Sequence, residues 1–266
     1  MPTVLPFWFG QKMKFDDFDK MMRRHELSLN ETVPSCEWIV LRLDGRGFTT
    51  LTKDALDFTR PFDERFHVAM QRTCEHLLTC GAKISLCYTQ SDEISLLLNT
   101  ENIPFNGKTR KLNSVFAGEA SGVYSLEVSC PTAFDCRTVP LSQTADVVDY
   151  IRRRAEDANR NGLTAFCYWT LRDAGYEPSS ANAEIHGLSK DQKLALLTSH
   201  HINFEGQPEW MRFGSFLRSK TDAHVGVDPR TGAEVATTRQ AFEWLEPCPV
   251  GPSIAALVME ICAPKT

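Results

Sequence analysis

Twice within the first hundred residues an apolar run meets an aspartate. Trp38 to Phe48 reads W-I-V-L-R-L-D-G-R-G-F, and Ile84 to Leu98 reads I-S-L-C-Y-T-Q-S-D-E-I-S-L-L-L. The first run is too apolar for a half-exposed strand, so Ile39, Leu41 and Leu43 predict a buried strand with Asp44-Gly45 at its lip. In the second, Ser91-Asp92-Glu93 is a polar tip between two apolar runs, the pattern of a hairpin that holds carboxylates at the end of a sheet. Asp44 and Asp92 are then expected side by side at one sheet edge. Two carboxylates with a backbone carbonyl nearby suit hard divalent cations such as magnesium. Such a site moves phosphoryl or nucleotidyl groups. Singly, D-G is also a common turn and S-D-E a solvated hairpin tip. The pair, one helix length apart and both at strand ends, favours the site.

The elements that must position these carboxylates follow from periodicity. Lys14 to Leu29 is charged and helix-like, with Phe15, Phe18 and Met22 at helical spacing. Pro61 to Cys80 predicts a helix, with Pro61 in its first turn, Phe66, Met70 and Leu77 on one face and Gly81 at its end. Lys108 to Tyr124 predicts another, with small residues (Ala117, Ala120, Ser121) that allow close packing on a sheet. Ala133 to Pro140 is a fourth strand. The order strand, helix, strand, strand, helix, strand is the ferredoxin-like arrangement, an α+β fold whose antiparallel sheet carries its helices on one face. Ala145 to Gly175 and Lys190 to Ser199 predict helices. Pro208 to Lys220 and Ala233 to Leu245 predict a hairpin turning at Asp228 to Gly232. With no clear linker, one unit is expected, its core at about residues 14–141 and a helical and hairpin elaboration at 142–266.

Composition bounds the function. The 266 residues are 42% hydrophobic, enough for a sizeable core. No stretch has the apolar length of a membrane span, and Met1 to Gly10 lacks a signal peptide's basic region and cleavage site, so a soluble cytoplasmic protein is expected. The 9 cysteines form no C-x-x-C pair and no Cys/His cluster with zinc spacing, which predicts reduced core thiols. A net charge of -5 argues against a surface coated in positive charge for indiscriminate nucleic-acid binding and leaves room for a local basic patch. The densest basic run is Arg152-Arg153-Arg154, a solvated face or a surface for nucleic-acid phosphates.

R-L-D-G-R-G-F, Y-T-Q-S-D-E-I-S, G-L-S-K-D-Q-K and H-I-N-F together resemble the tRNA-His guanylyltransferase family, enzymes that add nucleotides to the 5′ end of tRNA in the 3′-to-5′ direction. The resemblance covers about residues 14 to 220. It implies a fold like the polymerase palm, two magnesium ions, ATP and GTP or other nucleoside triphosphates as substrates, tRNA as partner and a homo-oligomer, a dimer or tetramer. Carried over by position, Asp44 and Asp92 are the metal-binding carboxylates, Gly45 offers its carbonyl, and Glu93 supports activity. Arg46, Gly47, Phe48 and Ser91 belong to the same two motifs and are expected at the nucleotide. Arg60 stands where the family has a basic residue near phosphate, and Arg110 and Lys111 lie in the matching basic segment. Arginine forks two phosphate oxygens whereas lysine supplies a point charge. Asn161, Lys193, Asn203 and Arg212, with Arg152, Arg153 and Arg154, are the tRNA-facing candidates. Asn203 equally fits a turn cap, and Arg212 a surface pair with Glu209.

One stretch departs from that pattern. Enzymes adding the extra guanosine to tRNA-His carry histidine-isoleucine-asparagine followed by leucine-tyrosine-asparagine. Asn159 to Ala165 here lacks the histidine and the tyrosine, while Asn161 and Leu163 remain. This resembles the guanylyltransferase-like branch, which repairs 5′-truncated tRNA against a template. Guanosine addition to tRNA-His, a nucleotidyl cyclase with the same carboxylates, and a non-catalytic tRNA-binding module are the competing readings.

Overall fold

In the computed structural model, residues 14–227 and 230–263 are described. β1 (Trp38–Gly45) lies inside a six-stranded antiparallel sheet with β2 (Ile84–Gln90), β3 (Glu93–Asn99), β4 (Phe134–Leu141), β5 (Ser215–Val227) and β6 (Glu234–Trp244). The strand order is β4-β1-β3-β2-β5-β6. Its first four strands are the expected ferredoxin-like set. The C-terminal hairpin extends the same sheet through β2 and β5, and its predicted turn at Asp228-Pro229 lies outside the described residues, as does Met1 to Gly10.

Alternation along β1 sends Ile39, Leu41 and Leu43 to one face and Trp38 and Val40 to the other. The first three are fully buried, each worth about 1.5–3 kcal/mol relative to exposure. They pack on α3 (Glu64–Leu77) and α4 (Thr109–Val128), the two helices predicted between the strands. Asp63 caps α3, its carboxylate accepting the Arg65 N–H at 2.8 Å. On α4, Ser121 stands against the sheet and its Oγ accepts the Phe134 N–H at 2.9 Å. The opposite face is covered by the elaboration, through α5 (Thr144–Asp173) and α9 (Pro252–Cys262). The core helices thus lie on one face, as expected, and the helices of the elaboration cover the other.

α5 runs 30 residues and outreaches the sheet. Its far half packs with α6 (Pro178–Ile185) and α7 (Lys190–Ser199) in a separate apolar cluster. The predicted strand over Pro208 to Lys220 is in fact split: Glu209–Phe213 forms a short helix, α8, and β5 begins at Ser215. Gly214 makes the break, with φ +78 and no room for a Cβ, which would stand 2.5 Å from the Thr89 carbonyl oxygen. α1 (Phe15–Leu27) has no buried residue. A short turn, α2 (Phe48–Thr50), continued by a π-turn at Leu51–Ala55, follows β1 and is not legible in the sequence. No helix among the described residues is long and apolar enough to cross a membrane.

Candidate active site

The ladder between β1 and β3 pairs Asp44 with Glu93, and the Gly45 N–H donates to the Asp92 carbonyl at 2.9 Å. Asp44 and Asp92 therefore stand at the same end of adjacent strands. Ser91 and Asp92 form the two-residue tip of the β2–β3 hairpin, with Ser91 at φ +51 and its hydroxyl donating to Asp92 Oδ1 at 3.2 Å. Gly45 is required here: a Cβ would lie 2.5 Å from the Phe48 ring and 2.8 Å from Asp92 Cβ. Burial pushes the Asp92 carboxyl above its ordinary range, and the neighbouring Asp44 charge adds to the push. Like charges this close favour whatever neutralises one of them, a proton or a cation.

Behind the pair stands a network of two arginines and Glu93. Arg42, two residues before Asp44 on the same strand face, donates to Asp44 Oδ2 at 3.1 Å and forms a close ion pair with Glu93. Arg154 reaches in from α5, pairs closely with the second Glu93 oxygen and approaches Asp157 Oδ2 at 3.5 Å. Glu93 thus spends both oxygens on guanidinium groups. Burial, and then Arg42, lowers the Arg154 guanidinium from its ordinary value.

Beside Asp92 opens a pocket of about 120 Å³ lined by Phe48, Arg60, Phe62, His67, Trp210 and Ser91, among others. It is smaller than the roughly 300 Å³ of a drug-sized site, so it admits only part of a substrate. Arg60 holds its guanidinium 5.2 Å from the Trp169 ring centroid and donates to the Thr52 carbonyl. Asp63 fixes the preceding loop by accepting the Thr59 N–H at 2.7 Å. His67 stacks on Trp210, with centroids 4.3 Å apart. Burial lowers that imidazole to about 4, so it is neutral at pH 7.

The other expected contacts divide between the edge of this site and positions away from it. Arg46 is exposed beyond the strand end, and Gly47 adopts φ +74 to open the α2 turn. Phe48 is mostly a core wedge, with Tyr124 and Phe134 at centroid distances of 5.1 and 5.0 Å. Arg110 and Lys111 are not at the site. They begin α4, next to the Thr32–Lys108 bridge, at the sheet end where Trp38 pairs with Asn99. The seven residues of β3 separate that end from Asp92, about 20 Å. The Arg152-Arg153-Arg154 run forms no single tRNA face either, because successive helical residues point about 100° apart. Arg154 faces inward, Arg152 pairs with Asp149 at 2.9 Å, and Arg153 is exposed.

Asn161 is exposed on α5. The Lys193 ammonium donates to Thr164 Oγ1 at 2.9 Å. Asn203 caps a turn, its Oδ1 accepting the Gly206 N–H at 3.1 Å. Arg212 donates to the Gln207 carbonyl at 2.9 Å rather than to Glu209, which accepts the Cys248 N–H instead. Sequence reasoning missed Arg42, His67 and Trp210. For Arg42 a signal existed, since a cation two positions before a strand-end aspartate shares its face.

A β4-β1-β3-β2 sheet with paired carboxylates at the ends of its two inner strands defines a palm-type nucleotidyl-transfer enzyme. The family model described as tRNAHis guanylyltransferase matches residues 19–142, and that of the Thg1 C terminal domain matches residues 145–243. The chain belongs to the tRNAHis guanylyltransferase family, a family of nucleotidyltransferases. It is 27% identical over 234 residues to the tRNA(His) guanylyltransferase of Saccharomyces cerevisiae, covering 82% of this chain and 93% of that protein. A probable tRNA(His) guanylyltransferase of Drosophila melanogaster is 30% identical over 193 residues, 69% of this chain and 67% of its own length. Among solved structures, a bacterial tRNA(His) guanylyltransferase (Thg1)-like protein in complex with GTP shares the fold, with a TM-score of 0.69, 21% identity and coverage of 93% and 99% of the two chains. The same kind of protein in complex with ATP gives a TM-score of 0.68 at 21% identity, covering 92% and 97%.

Proposed function

We propose that this chain is a magnesium-dependent nucleotidyltransferase that adds nucleotides in the 3′-to-5′ direction to the 5′ end of tRNA, copying the opposite strand to repair truncated ends. The convergence of Asp44, Gly45 and Asp92 at one sheet edge carries this reading. Asp44, Asp92 and the Gly45 carbonyl are the residues that would hold magnesium. The fit rests on Asp92, whose raised carboxyl beside Asp44 is relieved by a positive charge. Magnesium ions, when bound, neutralise charge on the transferring phosphoryl group and on the attacking and leaving oxygens.

In the reaction, the 3′-hydroxyl oxygen of the incoming nucleotide bonds to the 5′ phosphorus of the RNA, and the bond to pyrophosphate or AMP breaks. Arg42 and Arg154 fix Glu93 and, through Arg42, orient Asp44. Arg60, at the pocket beside Asp92, is the cation available to a triphosphate. The Trp210–His67 stack offers a neutral, aromatic wall for a base or ribose.

Template dependence is favoured by Asn159 and Thr164, which stand at the histidine and tyrosine positions of the guanosine-adding motif. Both are committed to the scaffold: Asn159 Nδ2 donates to the Arg212 carbonyl at 3.3 Å, and Thr164 Oγ1 accepts from Lys193. With no aromatic ring there to grip an unpaired guanosine, base pairing positions the nucleotide. The names of the relatives favour a second reading, addition of one guanosine to tRNA(His). The two readings part in one experiment. Truncated tRNAs differing only in the template base are offered each nucleotide with magnesium; template-matched incorporation that stops at the full acceptor stem is expected. Guanosine incorporated opposite every base overturns templating, a cyclic product without RNA indicates a cyclase, and no nucleotide consumption indicates a binding module.

A further inference from the structure

Where α3 packs on α4, beside the core cluster that Cys80 borders, three metal-ligating side chains meet. His76 Nε2 and Glu119 Oε2 are 2.7 Å apart, linking α3 to α4. The chain keeps turning past the end of α3, so Cys80 comes back beneath His76 and its Sγ lies 3.4 Å from the His76 carbonyl oxygen. The imidazole nitrogen, the sulfur and the Glu119 carboxylate oxygen all lie within 4.8 Å of one another. No other such group was found among the described residues.

We propose that His76, Cys80 and Glu119 bind a zinc ion that ties the end of α3 to the middle of α4. The donor set argues for the metal. One nitrogen, one sulfur and one carboxylate oxygen suit zinc, whereas magnesium takes oxygen ligands only. Tetrahedral zinc with bonds of about 2.0–2.3 Å places neighbouring donors about 3.3–3.7 Å apart. The His76–Glu119 spacing of 2.7 Å is below that range and the 4.8 Å limit on all three is above it, so the donors need only small adjustments to reach it. The side chains of His76 and Glu119 are 38% and 43% exposed, which gives an ion a path from solvent and leaves the fourth position to water.

Burial and the Glu119 carboxylate push the Cys80 thiol up to about 11, so the metal-free site holds a neutral thiol facing a carboxylate. When zinc binds, the thiol proton passes to solvent and a zinc–thiolate bond forms. The Arg72–Glu127 ion pair at 2.6 Å already joins the same two helices nearer the catalytic end. Zinc adds a second and stronger clasp at the other end of the pair.

Cobalt titration of the full chain, stripped with chelator and held in excess magnesium, tests this. Expected is one cobalt per chain with a sulfur-to-cobalt charge-transfer band, displaced by zinc. An oxygen-only site at Asp44 and Asp92 gives no such band, so Asp44→Ala should retain it. Cys80→Ser should abolish the band, and His76→Asn or Glu119→Gln should weaken cobalt binding at least tenfold. Zinc should raise the unfolding midpoint of the unaltered chain but not of His76→Asn, a second readout if Cys80→Ser folds poorly. Absence of the band, or its persistence in Cys80→Ser, overturns the site whatever becomes of nucleotide addition.

Discussion

Replacing Glu93 by glutamine removes the one negative charge lying between two guanidinium groups while preserving shape. The Arg154 side chain is 7% exposed, and those of Arg42 and Glu93 are 21% exposed, so little water can step in. Breaking a buried pair by removing one partner costs about 3–5 kcal/mol. Asp157 and Asp44 still face the two arginines, which reduces the expected loss to about 2–3 kcal/mol. At about 2–4 °C per kcal/mol for a chain of this size, Glu93→Gln should lower Tm by about 4–12 °C. Asp92→Asn should do the reverse. Its folded pKa lies above the unfolded one, so folding favours the protonated form; the stabilising contribution is present at acid pH and lost as pH rises through the folded value. Near pH 7 the charged carboxylate is a cost, and a neutral amide removes it. Both variants should lose nucleotide addition, one with a lower Tm and the other with a higher one. Thermal unfolding near pH 7 alongside an addition assay checks this. An unchanged Tm in Glu93→Gln, or a lowered one in Asp92→Asn, would refute the electrostatic account of the site.

Asp44→Ala should abolish addition, and the Asp44/Asp92 double variant should be hardly worse than either single one, because both serve one site; additive losses in single-turnover rates would separate them. Gly45→Ala drives a methyl into the Phe48 ring and Asp92, so about 1–3 kcal/mol of stability should go together with activity, read by denaturant melts. Arg60→Ala should raise the KM for nucleoside triphosphate, while Arg110→Ala and Lys111→Ala leave it unchanged at their distance from Asp92; equal effects from all three would contradict the placement. His67 binds a proton more readily unfolded than folded, since burial holds it near 4 against an ordinary value of about 6.5. Stability should therefore fall as pH drops through that window, and His67→Gln should flatten the fall in acid-unfolding curves.

Asp44 and Asp92 were legible because each interrupts an apolar run at a strand end, a conflict that only function or a turn explains. The four-strand order was legible from element sequence alone. Arg110 and Lys111 were misplaced because they follow the hairpin closely in the chain, whereas β3 carries the chain across the whole sheet before α4 begins. Arg154 was hidden in a triple-arginine run that reads as surface. Its phase held the answer: Val147, Ile151, Arg154 and Ala158 are spaced 4, 3 and 4 residues apart and all four are buried, so the helix stripe itself points Arg154 inward. The short helix at Glu209–Phe213 had no such signal, because its break depends on how closely Gly214 approaches Thr89.

The site draws on both halves of the chain, which bears on what the elaboration is for. Arg154 comes from α5 and Trp210 from α8, yet Arg154 pairs with Glu93 and Trp210 lines one pocket with Asp92, both on the β2–β3 hairpin. The face of the sheet opposite α3 and α4 presents Val40, Leu86, Tyr88 and Leu97, all buried beneath α5 and α9, with Phe216 of the neighbouring strand β5 beside them. A chain ending at Leu141 would expose that face and leave Arg42 and Glu93 without Arg154. The same contacts that make the elaboration necessary for folding therefore set the arginines behind the carboxylates. The helix that covers the core also holds Glu93 through Arg154, so under the proposed function Glu93 is the residue where the two tasks meet.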